Sequence, residues 1–221
     1  EAYLLEYLGD ETSITLPSSF TVEGVTGKVS KYKINTRAFY GSQLKNVIIP
    51  SSVISIGEKA FENSYQLESV TIQGTNLLEI KNEAFQNCNR LKTFSISENS
   101  SLTLIGNYAF SNTNLFEFVV GKAVNSIGDD AFYNCSNLTL VYNYSRLTIN
   151  EGEYSNGGIA YNAFDVFATK NSCIKVQTNG FTFARKGSNW YLIEIAESVF
   201  DTESIIKLPT TFSYSYTTYS S

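Results

Sequence analysis

Leu44-Lys45-Asn46-Val47-Ile48-Ile49-Pro50-Ser51-Ser52-Val53-Ile54-Ser55-Ile56-Gly57-Glu58-Lys59-Ala60-Phe61-Glu62-Asn63-Ser64 holds two short stretches of alternating β-branched residues, then a Gly, then a compact Ala-Phe-x-Asn segment. Alternation with a period of two suits half-buried strands. The same order of features returns along the chain. Ala-Phe recurs at Ala38-Phe39, Ala60-Phe61, Ala84-Phe85, Ala109-Phe110, Ala131-Phe132 and Ala163-Phe164, at intervals of 22, 24, 25, 22 and 32 residues. Four residues before each Ala stands an Ile: Ile34, Ile56, Ile80, Ile105, Ile127 and Ile159. Seven before the middle four stand Val53, Leu77, Leu102 and Val124, and three after them Asn63, Asn87, Asn112 and Asn134. A Leu follows (Leu44, Leu67, Leu91, Leu115, Leu138), and three beyond it Val47, Val70, Phe94, Phe118 and Val141. A template of about seven positions, copied at this period, specifies a stack of like units.

One such unit cannot bury its own apolar side. Stacking sets like residues over one another and closes a continuous core. Small Ala lets main chain approach closely, and Phe fills the interior. A single short helical turn is expected at Ala-Phe-x-Asn, with the Asn amide bonding nearby main chain. Six coils spaced by roughly 5 Å make a solenoid about 30 Å long.

The pattern Leu-x-x-Val-x-Ile-Pro-x-x-Val-x-x-Ile-Gly-x-x-Ala-Phe-x-Asn-Cys, seen from Leu44 to Ser64 and again around Ile127 to Leu138, resembles the BspA-type leucine-rich repeat. The resemblance runs from about Ile34 to Phe164. Asn35 and Lys81 stand where that pattern usually has Gly, and only Cys88 and Cys135 hold its Cys position. It implies a curved solenoid on secreted or cell-surface proteins, often of anaerobic bacteria and some protozoa, whose better-known members adhere to host proteins or other cells. The expected fold class is an α/β leucine-rich-repeat solenoid, strand-rich with short helical turns, flanked by an antiparallel β-meander.

Outside the array the pattern changes. Residues 173–177, 180–185 and 190–195 alternate like strands and are separated by Thr178-Asn179-Gly180 and Lys186-Gly187-Ser188-Asn189, both turn signals. This predicts a three-stranded meander that serves as a cap for the array or as a linker. Glu11–Phe20 matches Glu203–Phe212, and Tyr3-Leu4-Leu5 resembles Tyr191-Leu192-Ile193. The expected division is therefore 1–30 as the end of a preceding meander and a first irregular coil, 31–166 as an array of about six coils, 167–200 as the meander, and 201–221 as the start of a further array. Together with the absence of Met, the likeness of head and tail reads as an internal piece of a longer modular protein.

Composition narrows the chemistry. The 221 residues carry a formal charge of −5 and no His, which excludes Ser-His-Asp and Cys-His nucleophiles and imidazole-ligated zinc. Sixteen Lys and Arg with no run longer than a pair give no nucleic-acid footprint and no polybasic membrane anchor. No apolar run approaches the 20 or so residues of a membrane helix. Asn, Ser and Thr number 21, 27 and 20, so the surface is polar with little charge. Cys88 and Cys135 sit two coils apart, about 10 Å by strand spacing and beyond disulfide reach, and with Cys173 they read as unpaired thiols.

Candidate functional residues follow from departures from the template. Asp129-Asp130 occupy a corner filled elsewhere by Glu58-Lys59 or Asn107-Tyr108, so they read as an exposed turn rather than an acid/base pair. The last interval contains Asn150-Glu151-Gly152-Glu153-Tyr154-Ser155-Asn156-Gly157-Gly158. Its oxygen ligands are of the kind calcium takes, but its spacing matches no EF-hand, and the reading is a loop on a contact surface. Outward strand positions change from Ser69 and Thr71, through Thr93 and Ser95, to Glu117 and Val119, then Leu140 and Tyr142. The contact candidates are Phe116, Val119, Leu140, Tyr142, Tyr144, Glu151, Glu153 and Tyr154; the alternative for the aromatic patch is burial under the meander. No catalytic residue, metal or cofactor is expected. The expected function is a non-catalytic binding or adhesion scaffold of an extracellular or cell-surface protein. Its partner would be a protein or glycan of a host or neighbouring cell, with no nucleic acid and no membrane insertion. The alternatives are a spacer that displays another domain or, third, an enzyme with an unrecognised carboxylate site.

Overall fold

A computed structural model describes residues 2–23, 26–138 and 141–147, and the main chain of 140 and of the strands at 175–178, 181–186 and 189–195. The chain winds as a parallel β-solenoid. Its first ladder stacks six parallel strands in chain order: Tyr3–Leu4, Tyr32–Ile34, Val53–Ile56, Glu79–Ile80, Leu104–Ile105 and Ser126–Ile127. The invariant Ile of the sequence template is a literal column here, with Ile34, Ile56, Ile80, Ile105 and Ile127 in register and all buried. The second ladder stacks Ser13–Thr15, Asn46–Ile49, Ser69–Ile72 and Thr93–Ser95, again parallel. Val47, Val70 and Phe94 share its inward register. Glu117–Val120 and Leu140–Asn143 then form a separate parallel pair.

The third side of each coil is the Ala-Phe-x-Asn arm. The expected short helical turn is not there; among the described residues there is no helix. The reason lies in the backbone. The residue before each Ala (Arg37, Lys59, Glu83, Tyr108, Asp130) and the Asn three after it (Asn63, Asn87, Asn112, Asn134) take φ between 54° and 61°. A left-handed residue at each end interrupts the run of right-handed residues a helix requires. Every second N–H therefore leaves the coil. Lys59, Phe61 and Asn63 donate to the carbonyls of Asn82, Ala84 and Gln86 in the next coil at 3.0, 2.7 and 2.9 Å. The intervening N–H groups of Ala60, Glu62 and Ser64 close tight local turns to Gly57, Lys59 and Phe61.

One continuous core lies between the three sides. The rings of Phe39, Phe61, Phe85, Phe110 and Phe132 stack with centroids 4.6, 5.0, 5.3 and 5.2 Å apart and planes within 9° of parallel. Such a file is worth about 0.5–1.5 kcal/mol per ring pair beyond the area it buries. The Asn amides bond one another from coil to coil instead of nearby main chain: Asn87 to Asn63 at 2.8 Å, Asn112 to Asn87 at 2.7 Å, Asn134 to Asn112 at 2.8 Å, with Asn63 donating to the Tyr40 hydroxyl. Ser64, Cys88 and Cys135, four residues after the Ala, donate to the carbonyls of Phe39, Phe61 and Phe110 in the preceding coil. Both thiols are buried and free; Cys173 lies outside the described residues. The Gly that follows the Ile column serves close approach. A Cβ on Gly106 would lie 2.5 Å from the Asn82 nitrogen, and one on Gly57 2.6 Å from the Ile34 carbonyl oxygen.

Separately, Lys175–Thr178, Phe181–Lys186 and Asn189–Ile195 pair as a three-stranded antiparallel sheet. Near the start of the chain, Phe20–Thr21 pairs antiparallel with Lys28–Val29.

Candidate functional site

The second ladder is interrupted. Among the described residues, Thr93–Ser95 has a strand partner on one side only, Ser69–Thr71, and Glu117–Val120 only on the other, Leu140–Asn143. Inter-coil bonds resume on both flanks of the break, from Asn114 N–H to the Leu91 carbonyl at 3.1 Å and from Lys122 N–H to the Glu98 carbonyl at 2.9 Å. The first ladder runs through intact. The break is thus a local seam on one face of the stack.

Two features of sequence produce it. Inward positions filled by Val47, Val70 and Val141 carry Phe94 and Phe118 in these two neighbouring coils. Their ring centroids stand 5.8 Å apart, wider than any neighbouring pair in the main file, where the spacings are 4.6, 5.0, 5.3 and 5.2 Å. Both rings are wedged edge-on against the main aromatic file, with Phe94 4.9 Å and Phe118 5.0 Å from Phe110. The coils also differ in length: Leu91 and Leu102 are 11 residues apart, whereas Leu115 and Val124 are nine apart. Neighbouring strands therefore leave the ladder at different points.

The seam opens as a cleft of about 480 Å³ lined by Lys92, Thr93, Phe94, Ser95, Ile96, Phe116, Glu117, Phe118 and Val119. Phe94 and Phe118 form its apolar floor, and Phe116, 54% exposed, stands at its rim. Thr93, Ser95 and Glu117 are exposed, and Val119 is half-buried against the core.

Of the contact candidates read from the sequence, Phe116 and Val119 meet at this cleft. Tyr142 is half-buried and in register with Val119, and the main chain of Leu140 is in register with Glu117. Tyr144 lies past the far end of these strands, its N–H bonded to the Val120 carbonyl at 2.9 Å. Burial, and then the Glu98 carboxylate beside it, push the Tyr144 hydroxyl above its usual range. Lys122 fixes that corner through Glu98 at 2.9 Å and Asn99 at 2.7 Å. Glu151, Glu153 and Tyr154 lie outside the described residues. The other seven lining residues, Lys92, Thr93, Phe94, Ser95, Ile96, Glu117 and Phe118, were not among the candidates read from the sequence.

The other candidate chemistry resolves into structure. Asp129 is exposed, while Asp130 is half-buried and holds the Tyr108 hydroxyl, whose pKa it raises. Desolvation pushes the Cys135 thiol up to about 11 and that of Cys88 higher still. Among the described residues no group of three His, Cys, Asp or Glu side chains is placed to hold a metal ion, and no helix is long and apolar enough to cross a membrane.

Two parallel ladders, an Ile column and an aromatic file repeated coil by coil define a leucine-rich-repeat scaffold. Residues 12–139 match the BspA type leucine rich repeat region in six copies, and the chain belongs to that family. Among solved structures, the chain is similar to the T. pallidum leucine rich repeat protein (33% identity, TM-score 0.55, covering 63% of this chain and 62% of that one). It is also similar to a leucine-rich repeat protein from Bacteroides ovatus (31% identity, TM-score 0.54, covering 63% of this chain and 35% of that one). The chain thus spans less than two thirds of either relative. Comparison with curated proteins finds no match.

Proposed function

We propose that this chain is a non-catalytic binding scaffold of a modular cell-surface protein, and that it recognises a protein or glycan of a host or neighbouring cell through the outward face of its second ladder. The observation that carries this reading is the change along that face. Small polar residues at Ser69, Thr71, Thr93 and Ser95 give way to Glu117, Val119 and Tyr142, with Phe116 exposed beside them. Rigid, amphipathic aromatic side chains are the groups recognition surfaces favour. A stacked repeat suits the task because its outward positions vary while the inward template stays fixed. Leu140, Tyr144, Glu151, Glu153 and Tyr154 complete the contact set.

The test is a screen of the immobilised chain against extracellular-matrix proteins and a glycan array, repeated with Phe116→Ala and Tyr142→Ala. A ligand whose affinity falls at least tenfold in these variants, the equivalent of about 1.4 kcal/mol, supports the face. Unchanged binding in both variants refutes it, and a failure to bind any class moves the reading to a spacer.

A further inference from the structure

We infer that the seam between Thr93–Ser95 and Glu117–Val120 is a binding site for a neutral sugar, one or two rings of an oligosaccharide. This rests on the scaffold reading above and names the chemistry of its ligand.

The first argument is polar. Among the described residues, the facing main-chain groups of Thr93–Ser95 and Glu117–Val119 have no strand partner across the seam, so they are open to water or to the polar groups of a ligand. An extended peptide is the usual partner of an open strand edge. Here it does not fit. Insertion between two strands needs them about 9.6 Å apart, two strand spacings, whereas main-chain bonds of 3.1 Å (Asn114 to Leu91) and 2.9 Å (Lys122 to Glu98) pin the two coils together on either flank of the seam. A sugar needs no such gap: its ring lies against the open face of the seam and its hydroxyls reach the exposed main-chain and side-chain groups from outside.

The second argument is the lining. The Thr93 and Ser95 hydroxyls, the Lys92 ammonium and the Glu117 carboxylate surround the opening. The two charges oppose each other, so the site carries no net charge to select an ionic ligand. The exposed Phe116 ring and the Val119 methyls supply an apolar wall beside these polar groups. A sugar ring presents that same pairing, hydroxyls around its edge and C–H groups on its face. The cleft volume, about 480 Å³, falls within the range of about 300–1,000 Å³ for small-ligand pockets.

The test titrates the ¹⁵N-labelled full chain with cellobiose, maltose, lactose and N,N′-diacetylchitobiose and follows the amide resonances. The expected result is saturable shifts at residues 93–96 and 117–119 with at least one of the four, weakened about tenfold in Phe116→Ala. Phe118→Val gives position 118 the residue type of Val47, Val70 and Val141; it is expected to close the seam and remove the shifts. Phe116 is exposed, so its variant keeps the test decisive even where Phe118→Val fails to fold. The inference is overturned by an absence of shifts with all four sugars, by shifts elsewhere, by full binding in Phe116→Ala, or by preference for a sulfated oligosaccharide or an extended peptide at these amides. If a macromolecule still binds the outward face while no sugar shifts the seam, this inference alone fails. If both are lost, the scaffold reading fails with it.

Discussion

Replacing Phe110 by Ala removes the ring of the aromatic file that the side rings Phe94 and Phe118 both abut, and the structure sets how large the effect is relative to the same change at Phe39. Emptying a buried Phe site costs about 3–5 kcal/mol. Phe110 is fully buried and meets four rings: Phe85 at 5.3 Å, Phe94 at 4.9 Å, Phe118 at 5.0 Å and Phe132 at 5.2 Å. Phe39 is equally buried but meets two, Tyr7 at 5.4 Å and Phe61 at 4.6 Å. Each pair adds about 0.5–1.5 kcal/mol, so two further pairs put Phe110→Ala about 1–3 kcal/mol above Phe39→Ala. Against a typical total stability of about 5–15 kcal/mol, that difference is readily measured. The assay is equilibrium urea unfolding of the two variants and the parent, followed by far-ultraviolet circular dichroism. Both changes are Phe→Ala, so effects on the unfolded chain largely cancel. Equal costs, or a larger cost at Phe39, would refute the view that the rings act as one coupled file.

Asn87 combines a φ of 61° with hydrogen bonds to Asn63 and Asn112. Asn87→Ala should therefore lose about 2–4 kcal/mol and Asn87→Gly, which relieves the backbone, only about 1–2; thermal unfolding of both variants checks the order. Gly106→Ala drives a Cβ to 2.5 Å from the Asn82 nitrogen, whereas Gly41→Ala meets nothing within 4 Å and is opposed only by its φ of 65°. The first should cost about 3 kcal/mol or more and the second about 1–2; a reversed order in denaturant midpoints contradicts the close-approach role. The Cys135 thiol titrates near 9 when unfolded and near 11 when folded, raised by burial. A raised folded value means its contribution is complete below pH 9 and is lost as pH climbs from 9 to about 11, at up to about 1.4 kcal/mol per pH unit. Cys135→Ala should flatten the alkaline limb of a stability–pH curve over that window, and an unchanged limb would show that the thiol is not desolvated.

The stacking was legible because burial imposes the same residue at the same place in every coil. Ile34 through Ile127 repeat without exception, and the structure needs them to, since they are one column in register. The arm was misread as a helical turn for an equally physical reason. Of its two left-handed corners, Asn63 and its equivalents advertise themselves, but Arg37, Lys59, Glu83 and Tyr108 are residue types with no marked preference for positive φ. Their conformation is fixed by bonds to the next coil, a tertiary fact absent from any local window. The cleft was half visible. Phe116 and Val119 stood out as outward and apolar, yet the seam that joins them to Lys92, Thr93 and Ser95 depends on a mismatch between two coils. The signal was present in the two Phe at Val positions and in the unequal spacings, and it becomes readable when neighbouring coils are compared in pairs.

The arm bonds have a consequence for the whole array. The Phe61 N–H and the Ala60 carbonyl belong to one peptide group; the carbonyl accepts from Phe39 and the N–H donates to Ala84. The same handover continues from Phe85 to Ala109 and from Phe110 to Ala131. Files of peptide dipoles therefore run head to tail along the stacking axis, much as the three hydrogen-bond files do within an α-helix, but with links contributed by residues more than 20 positions apart. Each dipole polarises the next, strengthening successive bonds by some 10–30%. The arms thus give the solenoid an electrical polarity, its early coils carbonyl-ended and its later coils N–H-ended. A coil inserted mid-array joins bonds already polarised from both directions.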